Sequence, residues 1–286
     1  MIGFIGVGVM GEPICRHLAS KSGTALLAYD LAAEPLARLA AQGVKRALSV
    51  RDIAERCDAV FLSLPGALEV KQVCAELLGH LPPGSYVIDL STVPVGVARD
   101  LEARFAARAI HCLDAPVART RAAAEQGTLS VMVGGSAAAF SYARPLLAHF
   151  ATDVTHCGGP GAGQAMKLLN NMVLFQNVAA LAEALGVIRG LGLDPARALE
   201  TLAKGSADSF ALRHHAMQAM LPNQFPEKAF SVQYALKDTS YALELGSLAG
   251  VELSGLKNAK ALFEKAAAAG HAADYFPVIA KIVRGD

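Results

Sequence analysis

The sequence predicts an α/β domain on a mainly parallel sheet, followed by an all-α domain. Two observations predict it. Short apolar runs alternate with helically spaced segments through the first half, and no strand-like run follows Gly158-Gly159-Pro160-Gly161. The runs, in order, are Ile2–Ile5, Ala25–Tyr29, Ala59–Leu64, Tyr86–Leu90, Ala109–Leu113, Ser130–Val133 and Val154–Cys157. Each is as short and apolar as a buried strand. Between the early runs, Pro13–Ser20 and Glu34–Gln42 carry helical spacing.

The second half reads as helix throughout. A long pattern runs from about Gln164 to Arg189. Asp194-Pro195 opens the next helix, with Asp as N-cap and Pro at the first helical position, and Gly205 stops it. Phe210–Met220, Val232–Ala249, Gly255–Ala269 and Tyr275–Val283 follow. The expected domains are 1–160 and 161–286. The most apolar stretch, Val173 to Ile188, is interrupted by Gln176, Asn177 and Glu183, which reads as a buried helix rather than a membrane span.

The chain has 286 residues, 53% of them hydrophobic and 18% charged, with a formal net charge of +1. That suffices for a sizeable core and argues against disorder. It leaves no basic stripe for nucleic acid or a membrane surface. The low charge predicts that much surface is buried, as in a subunit interface. Cys15, Cys57, Cys74, Cys112 and Cys157 make an odd count without C-x-x-C spacing, so neither a disulfide framework nor a metal site is expected. The histidines show no H-E-x-x-H spacing, and no metal is expected. With no secretory leader read at Met1, the expected compartment is the cytoplasm.

Gly6-Val7-Gly8-Val9-Met10-Gly11 matches G-x-G-x-x-G. The match follows an apolar run and opens a helical segment, and Asp30 lies about 20 positions on, the context this motif requires. Gly6 permits the tight turn, Gly8 the approach of a diphosphate, and Gly11 close packing of helix on strand. The first domain is therefore expected to be a Rossmann dinucleotide-binding domain. A carboxylate at Asp30 accepts hydrogen bonds from the adenosine ribose and repels a 2′-phosphate. Leu31, Ala32 and Ala33 follow, with no arginine to hold that phosphate, so NAD is expected over NADP.

With these residues in hand, the chain resembles the β-hydroxyacid dehydrogenase family, which includes 3-hydroxyisobutyrate dehydrogenase and tartronate semialdehyde reductase. The resemblance rests on four separated blocks: Gly3–Pro13, Asp89-Leu90-Ser91-Thr92-Val93-Pro94, Gly161-Ala162-Gly163 with Lys167 and Asn170-Asn171, and Lys237-Asp238. It implies a Rossmann domain before a helical one, a dimer or tetramer, and reversible oxidation of a hydroxyl β to a carboxylate, the reverse being semialdehyde reduction. It further implies Lys167 as the catalytic lysine and Asn171 as a substrate-orienting amide. Ser91 and Asn170 would bind substrate, Thr92 and Lys237 would contact the cofactor, and Leu64-Pro65 would lie near the adenine ribose. The loop Asp114-Ala115-Pro116-Val117-Ala118-Arg119-Thr120 departs from the family's D-x-P-V-S-G-G and resembles the G-R-T variant of sulfolactaldehyde reductase. Arg119 and Thr120 are thus expected to meet a second anionic group or a sulfonate on the substrate.

Chemistry independently favours Lys167. Lys167, Asn170 and Asn171 stand at i, i+3 and i+4, with Gln164 one turn earlier, so they form a polar stripe on an apolar helix. A hydride transfer leaves a proton for the protein to handle. A lysine can take it where burial and a neighbouring positive charge lower its pKa from the ordinary value of ~10.4. Gly161–Lys167 is not a phosphate-binding P-loop, since no glycine directly precedes the lysine and no Ser or Thr follows it. Two rivals remain: an imine reductase, which usually carries Asp or Tyr at the lysine position, and a non-catalytic dehydrogenase-like binding module.

Overall fold

A computed structural model describes every residue except Lys228 and Asp286. The chain divides into two compact units, Met1–Lys167 and Leu168–Asp286.

The first unit runs β1 (Ile2–Ile5), α1 (Gly11–Lys21), β2 (Leu26–Tyr29), α2 (Ala33–Ala40), β3 (Lys45–Arg46), α3 (Val50–Arg56), β4 (Ala59–Leu62), α4 (Ala67–His80), β5 (Tyr86–Asp89), α5 (Val95–Ala106), β6 (His111–Asp114), β7 (Val117–Ala118), α6 (Arg121–Gln126), β8 (Leu129–Gly134), α7 (Ala137–Leu147) and β9 (Ala151–Gly158). The strands form one sheet in the order β3-β2-β1-β4-β5-β6-β8-β7, with β9 beside β8. The ladders from β3 to β6 are parallel, whereas β8 runs antiparallel to β6 and β7. Alternate strand residues point to opposite faces, and each face is buried. Phe4, Ala28, Phe61, Ile88 and Leu113 pack with Cys15, Leu18 and Leu147. Ile5, Leu27, Val60, Leu62 and Val87 pack with Ile53, Leu77 and Phe105 on the other side. Burial on both faces is why these strands read as continuous apolar runs. The strands β3 and β7 were not expected. They are two residues each, and Lys45 and Arg46 are exposed charges on an edge, where no apolar signal arises.

The helix α8 (Ala162–Gly190) begins in the first unit and continues into the second. By length and composition it meets the criterion for a membrane span, with a mean hydropathy of 1.4 over its best window, 44% of which is buried within the protein. The second unit then holds α9 (Pro195–Leu202), α10 (Val232–Leu248), α11 (Ser254–Ala266) and α12 (Ile279–Arg284). Asp194 caps α9 by accepting the Arg197 amide, 2.7 Å away. Phe175, Phe263 and Phe276 are fully buried and meet edge to face, Phe175 lying 5.3 and 5.6 Å from the other two. Two expected α-helices differ in detail. Leu212–Met220 winds as a π-helix, and the helix expected to reach Ala269 changes to π winding at Ala267 and kinks at Gly270, where φ is 93°. Apolar spacing over two turns does not separate these windings.

Candidate active site

Strand register lines up the functional loops of the first unit. Ile5 pairs with Tyr29 and Leu62, Leu62 with Asp89, and Asp89 with Asp114. The loops at Gly6, Asp30, Ser63-Leu64-Pro65, Ser91-Thr92 and Ala115–Thr120 therefore leave the same edge of the sheet. Strand order reverses between β1 and β4, and open α/β sheets bind ligands beyond the carboxyl ends of the strands at such a reversal.

The glycines at that point have distinct roles. Gly6 has a φ of 90°, and a side chain there would collide with the Ser63 carbonyl. A side chain on Gly11 would collide with the Gly6 carbonyl, so this glycine sets the approach of α1 to β1. Gly8 is different: a methyl group there would meet nothing within 4 Å, which leaves an open face over the loop. Among the described residues no side chain caps α1; Glu12 and Ile14 donate to the Gly8 and Met10 carbonyls and Pro13 has no N–H, so it is the Gly11 amide and the positive end of the helix that an anion would meet. Asp30 accepts the Val7 amide at 2.6 Å and the Ala32 amide at 2.8 Å. It thereby holds the glycine loop and opens α2, while each carboxylate oxygen keeps a lone pair for a ribose hydroxyl. The open face, the uncapped helix and the carboxylate fit a nicotinamide dinucleotide. Leu31 and Val9 are exposed beside them.

Ser91 is buried, and its Oγ accepts the Leu64 amide at 2.9 Å. The hydroxyl thus joins two of the loops expected at the ligand. Asp89 accepts the Ser91 amide at 2.9 Å. The first turn of α8 is fastened to the same region. Asp114 accepts the amides of Gly161 and Gln164, both at 2.8 Å. Burial pushes its carboxyl up to about 6, against those backbone bonds, which favour the charged form. The side chain of Gln164, fully buried, accepts the Val93 amide at 3.1 Å and donates to the Ser91 carbonyl at 2.8 Å. Gly163 packs so tightly that a side chain would strike the Met132 and Asp114 carbonyls. One turn beyond Gln164 stands Lys167, buried at 8% exposure.

In the second unit, Asn171 is 2% exposed and donates to Asp238 Oδ2 at 2.7 Å. Asn170, exposed, donates to Asn171 Oδ1 at 3.1 Å. Lys237 Nζ lies 3.4 Å from Asp238 Oδ1 and 5.5 Å from the rings of Tyr234 and Tyr241. Asn171 thus has its carbonyl and one N–H engaged among the described residues, and an amide carries a second N–H that can donate to an oxygen.

Arg119 and Thr120 both have partners within the protein. Arg119 has a φ of 86°, and its guanidinium donates to the Thr128 carbonyl at 2.6 Å, Thr152 Oγ1 at 2.8 Å and Asp153 at 2.6 Å. The left-handed backbone turns the side chain onto the β8–β9 edge, so its planar fork is engaged by the protein. Glu125, nearby, pairs with Arg16. Thr120 caps α6, its Oγ1 accepting the Ala123 amide at 3.4 Å. Sequence reasoning set Gln164 on the polar stripe without a role and gave none to Asp114 or Asp238. Gln164 and Asp238 fall inside two of the four blocks, and Asp114 opens the loop that departs from the family pattern, which was their only signal.

Comparison with known proteins agrees with this geometry. Residues 1–159 match the family model described as the NAD binding domain of 6-phosphogluconate dehydrogenase. Residues 161–282 match that described as NAD-binding of NADP-dependent 3-hydroxyisobutyrate dehydrogenase. The chain is 33% identical to 2-(hydroxymethyl)glutarate dehydrogenase of Eubacterium barkeri, over 98% of this chain and 94% of that one. It is 32% identical to the NAD-dependent L-serine dehydrogenase of Pseudomonas aeruginosa, over 98% and 97% of the two chains. The solved structure of Mycobacterium tuberculosis 3-hydroxyisobutyrate dehydrogenase with L-serine matches with a TM-score of 0.90 at 30% identity, covering 99% of this chain and 98% of that one. A glycine loop at the strand reversal, a helical second unit and end-to-end likeness to these enzymes place the chain in the β-hydroxyacid dehydrogenase family of NAD(P)-dependent oxidoreductases.

Proposed function

We propose that the protein is an NAD-dependent dehydrogenase acting on a 3-hydroxy acid, or in reverse on its semialdehyde, with Lys167 as general acid and base. The observation that carries the reading is a lysine at 8% exposure, one turn along a helix whose start is pinned to the loops at the sheet's carboxyl edge. Burying an ammonium group is costly, so a protein keeps one inside for a reason. A nicotinamide dinucleotide, when bound, takes or gives the hydride. Lys167 takes the hydroxyl proton during oxidation and returns it to the carbonyl oxygen during reduction. Asn171 offers its remaining N–H to a substrate oxygen, Asn170 supports it, and Thr92 and Lys237 contact the cofactor. Ser91 keeps one O–H to donate.

The substrates in the relatives' names share a primary alcohol β to a carboxylate and differ in the group on the carbon between, which is methyl, amino or carboxyethyl. We take this HOCH2–CH(R)–COO⁻ unit as the substrate class, with R open to a second anion. Asp30 supports NAD over NADP. The exposed Met166, Leu169, Val173 and Val187 on α8 support a second copy of the chain as partner, in a dimer or tetramer in the cytoplasm. Sedimentation of a monomer at micromolar concentration would remove that part.

The test is NADH formation with L-serine, 3-hydroxyisobutyrate and 2-(hydroxymethyl)glutarate. Lys167→Ala is expected to lose ~10²- to 10⁴-fold in kcat while still binding NADH. A variant within about threefold of wild type would take Lys167 out of the chemistry. Wild-type enzyme is expected to show the higher kcat/KM with NAD, and Asp30→Ala to narrow that preference. A wild-type preference for NADP would overturn the cofactor assignment.

A further inference from the structure

We propose that Gln164 is a positioning residue for Lys167, a two-ended latch that fixes the start of α8 to the Ser91–Val93 loop. The proposal rests on the reading of Lys167 given above. The Gln164 side chain is wholly inside the protein, at 0% exposure. Its carbonyl accepts the Val93 amide at 3.1 Å, and its NH2 donates to the Ser91 carbonyl at 2.8 Å. A backbone N–H can only donate and a backbone carbonyl can only accept, so the amide orientation is unambiguous. The backbone N–H of Gln164 goes to Asp114, which also holds Gly161. Three separate points of the chain thus meet at one residue.

Lys167 follows three positions later, on the same face of α8, about 4.5 Å along the axis. The Ser91 hydroxyl in turn holds the Leu64 amide. Rotation or translation of the first turn of α8 would break one end of the Gln164 amide or the other. The latch therefore sets the height and rotation at which Lys167 stands against the loop carrying Ser91 and Thr92. An apolar residue of similar volume would fill the space and leave the Val93 N–H and the Ser91 carbonyl unpaired. Glutamate tests the electronic requirement. As the neutral acid it offers one acceptor and one donor, as the amide does. As the carboxylate it offers two acceptors and faces the Ser91 carbonyl with negative charge.

The experiment compares wild type, Gln164→Leu, Gln164→Glu and Lys167→Ala at saturating NAD⁺, with whichever of the three named acids wild type oxidises. Amide hydrogen exchange at Val93 is measured in parallel. Gln164→Leu is expected to expose the Val93 amide to faster exchange and to lose ~10- to 100-fold in kcat with NADH still bound. Gln164→Glu is expected to approach wild type at pH 6 and to fall away from it as pH rises to 9, because burial keeps a glutamic acid protonated only at the lower end. A Gln164→Leu kcat within about threefold of wild type overturns the proposal. So does unchanged Val93 exchange, or a Gln164→Glu to wild-type ratio that is flat with pH. Retention of activity by Lys167→Ala would instead overturn the reading of Lys167, and the Val93 exchange would still decide whether the latch exists.

Discussion

At Arg119 backbone and side chain oppose one another. A φ of 86° costs a non-glycine residue about 1 kcal/mol or more, and the guanidinium offsets it with bonds to Thr128, Thr152 and Asp153. Arg119→Gly removes the strain together with the bonds, whereas Arg119→Ala removes the bonds and keeps the strain. The expected order of melting temperatures is wild type and Arg119→Gly close together, with Arg119→Ala below both, as calorimetry would read. An Ala variant that melts with the Gly variant would show that the torsion is unstrained. If the fork serves only the fold, kcat/KM for the best substrate changes by less than about threefold in Arg119→Gly. A larger loss, confined to KM, would return Arg119 to the substrate.

The element that organises the site is α8, and its first turn depends on Asp114. Asp114→Asn presents an NH2 group to one of the two N–H donors now accepted, Gly161 or Gln164, and one bond must fail. A loss of about 1–3 kcal/mol is expected in urea unfolding of the first unit; no loss would show that the cap is dispensable. How much of this was legible in the sequence differs by element. The apolar runs and the glycine loop disclosed the parallel strands, because burial on both faces leaves a one-dimensional trace. The strands β3 and β7 left none, being short and partly charged. Lys167, Asn170 and Asn171 could be placed on one face by counting residues. The partners of Gln164 could not, since they lie 71 and 73 positions away and spacing reports which face is buried, not what it meets. The same blindness hid the Arg119 torsion: the residue was plain, but spacing reports neither its φ of 86° nor the β8–β9 edge its side chain reaches.

For the whole molecule, two buried groups give the units opposite responses to acid. Burial pushes the Asp114 carboxyl up to about 6 from an ordinary 3.8. Its contribution is full below 3.8 and is lost as pH rises through about 6. In the second unit, His215 is 3% exposed, its Nδ1 sits 2.6 Å from the Tyr275 hydroxyl, and its Nε2 has no hydrogen-bond partner among the described residues. Burial, and next the neighbouring His214, lower it to about 4 from 6.5. Its contribution is full above 6.5 and is lost as pH falls through about 4. Each shift corresponds to roughly 3 kcal/mol at most. From pH 7 to 4.5, hydrogen exchange corrected for its intrinsic pH dependence is expected to show protection falling around Leu212–Met220 relative to the first turn of α8. Parallel loss in both segments would refute the assignment of these two groups.

The border between the two units is not a linker. It falls at the peptide bond between Lys167 and Leu168, inside an unbroken helix of 29 residues. For anyone recombining this gene with a relative's, the glycine-rich turn at Gly158–Gly161 looks like the natural crossover and is the wrong one. A junction there hands the incoming sequence the residues that Asp114, Ser91 and Val93 require at Gly161, Gly163 and Gln164. A junction after Lys167 keeps that inheritance with the sheet it grew up with. Chimeras spliced after Lys167 should therefore express and fold more often than those spliced at Pro160, and equal yields from the two libraries would show that the first turn of α8 is interchangeable.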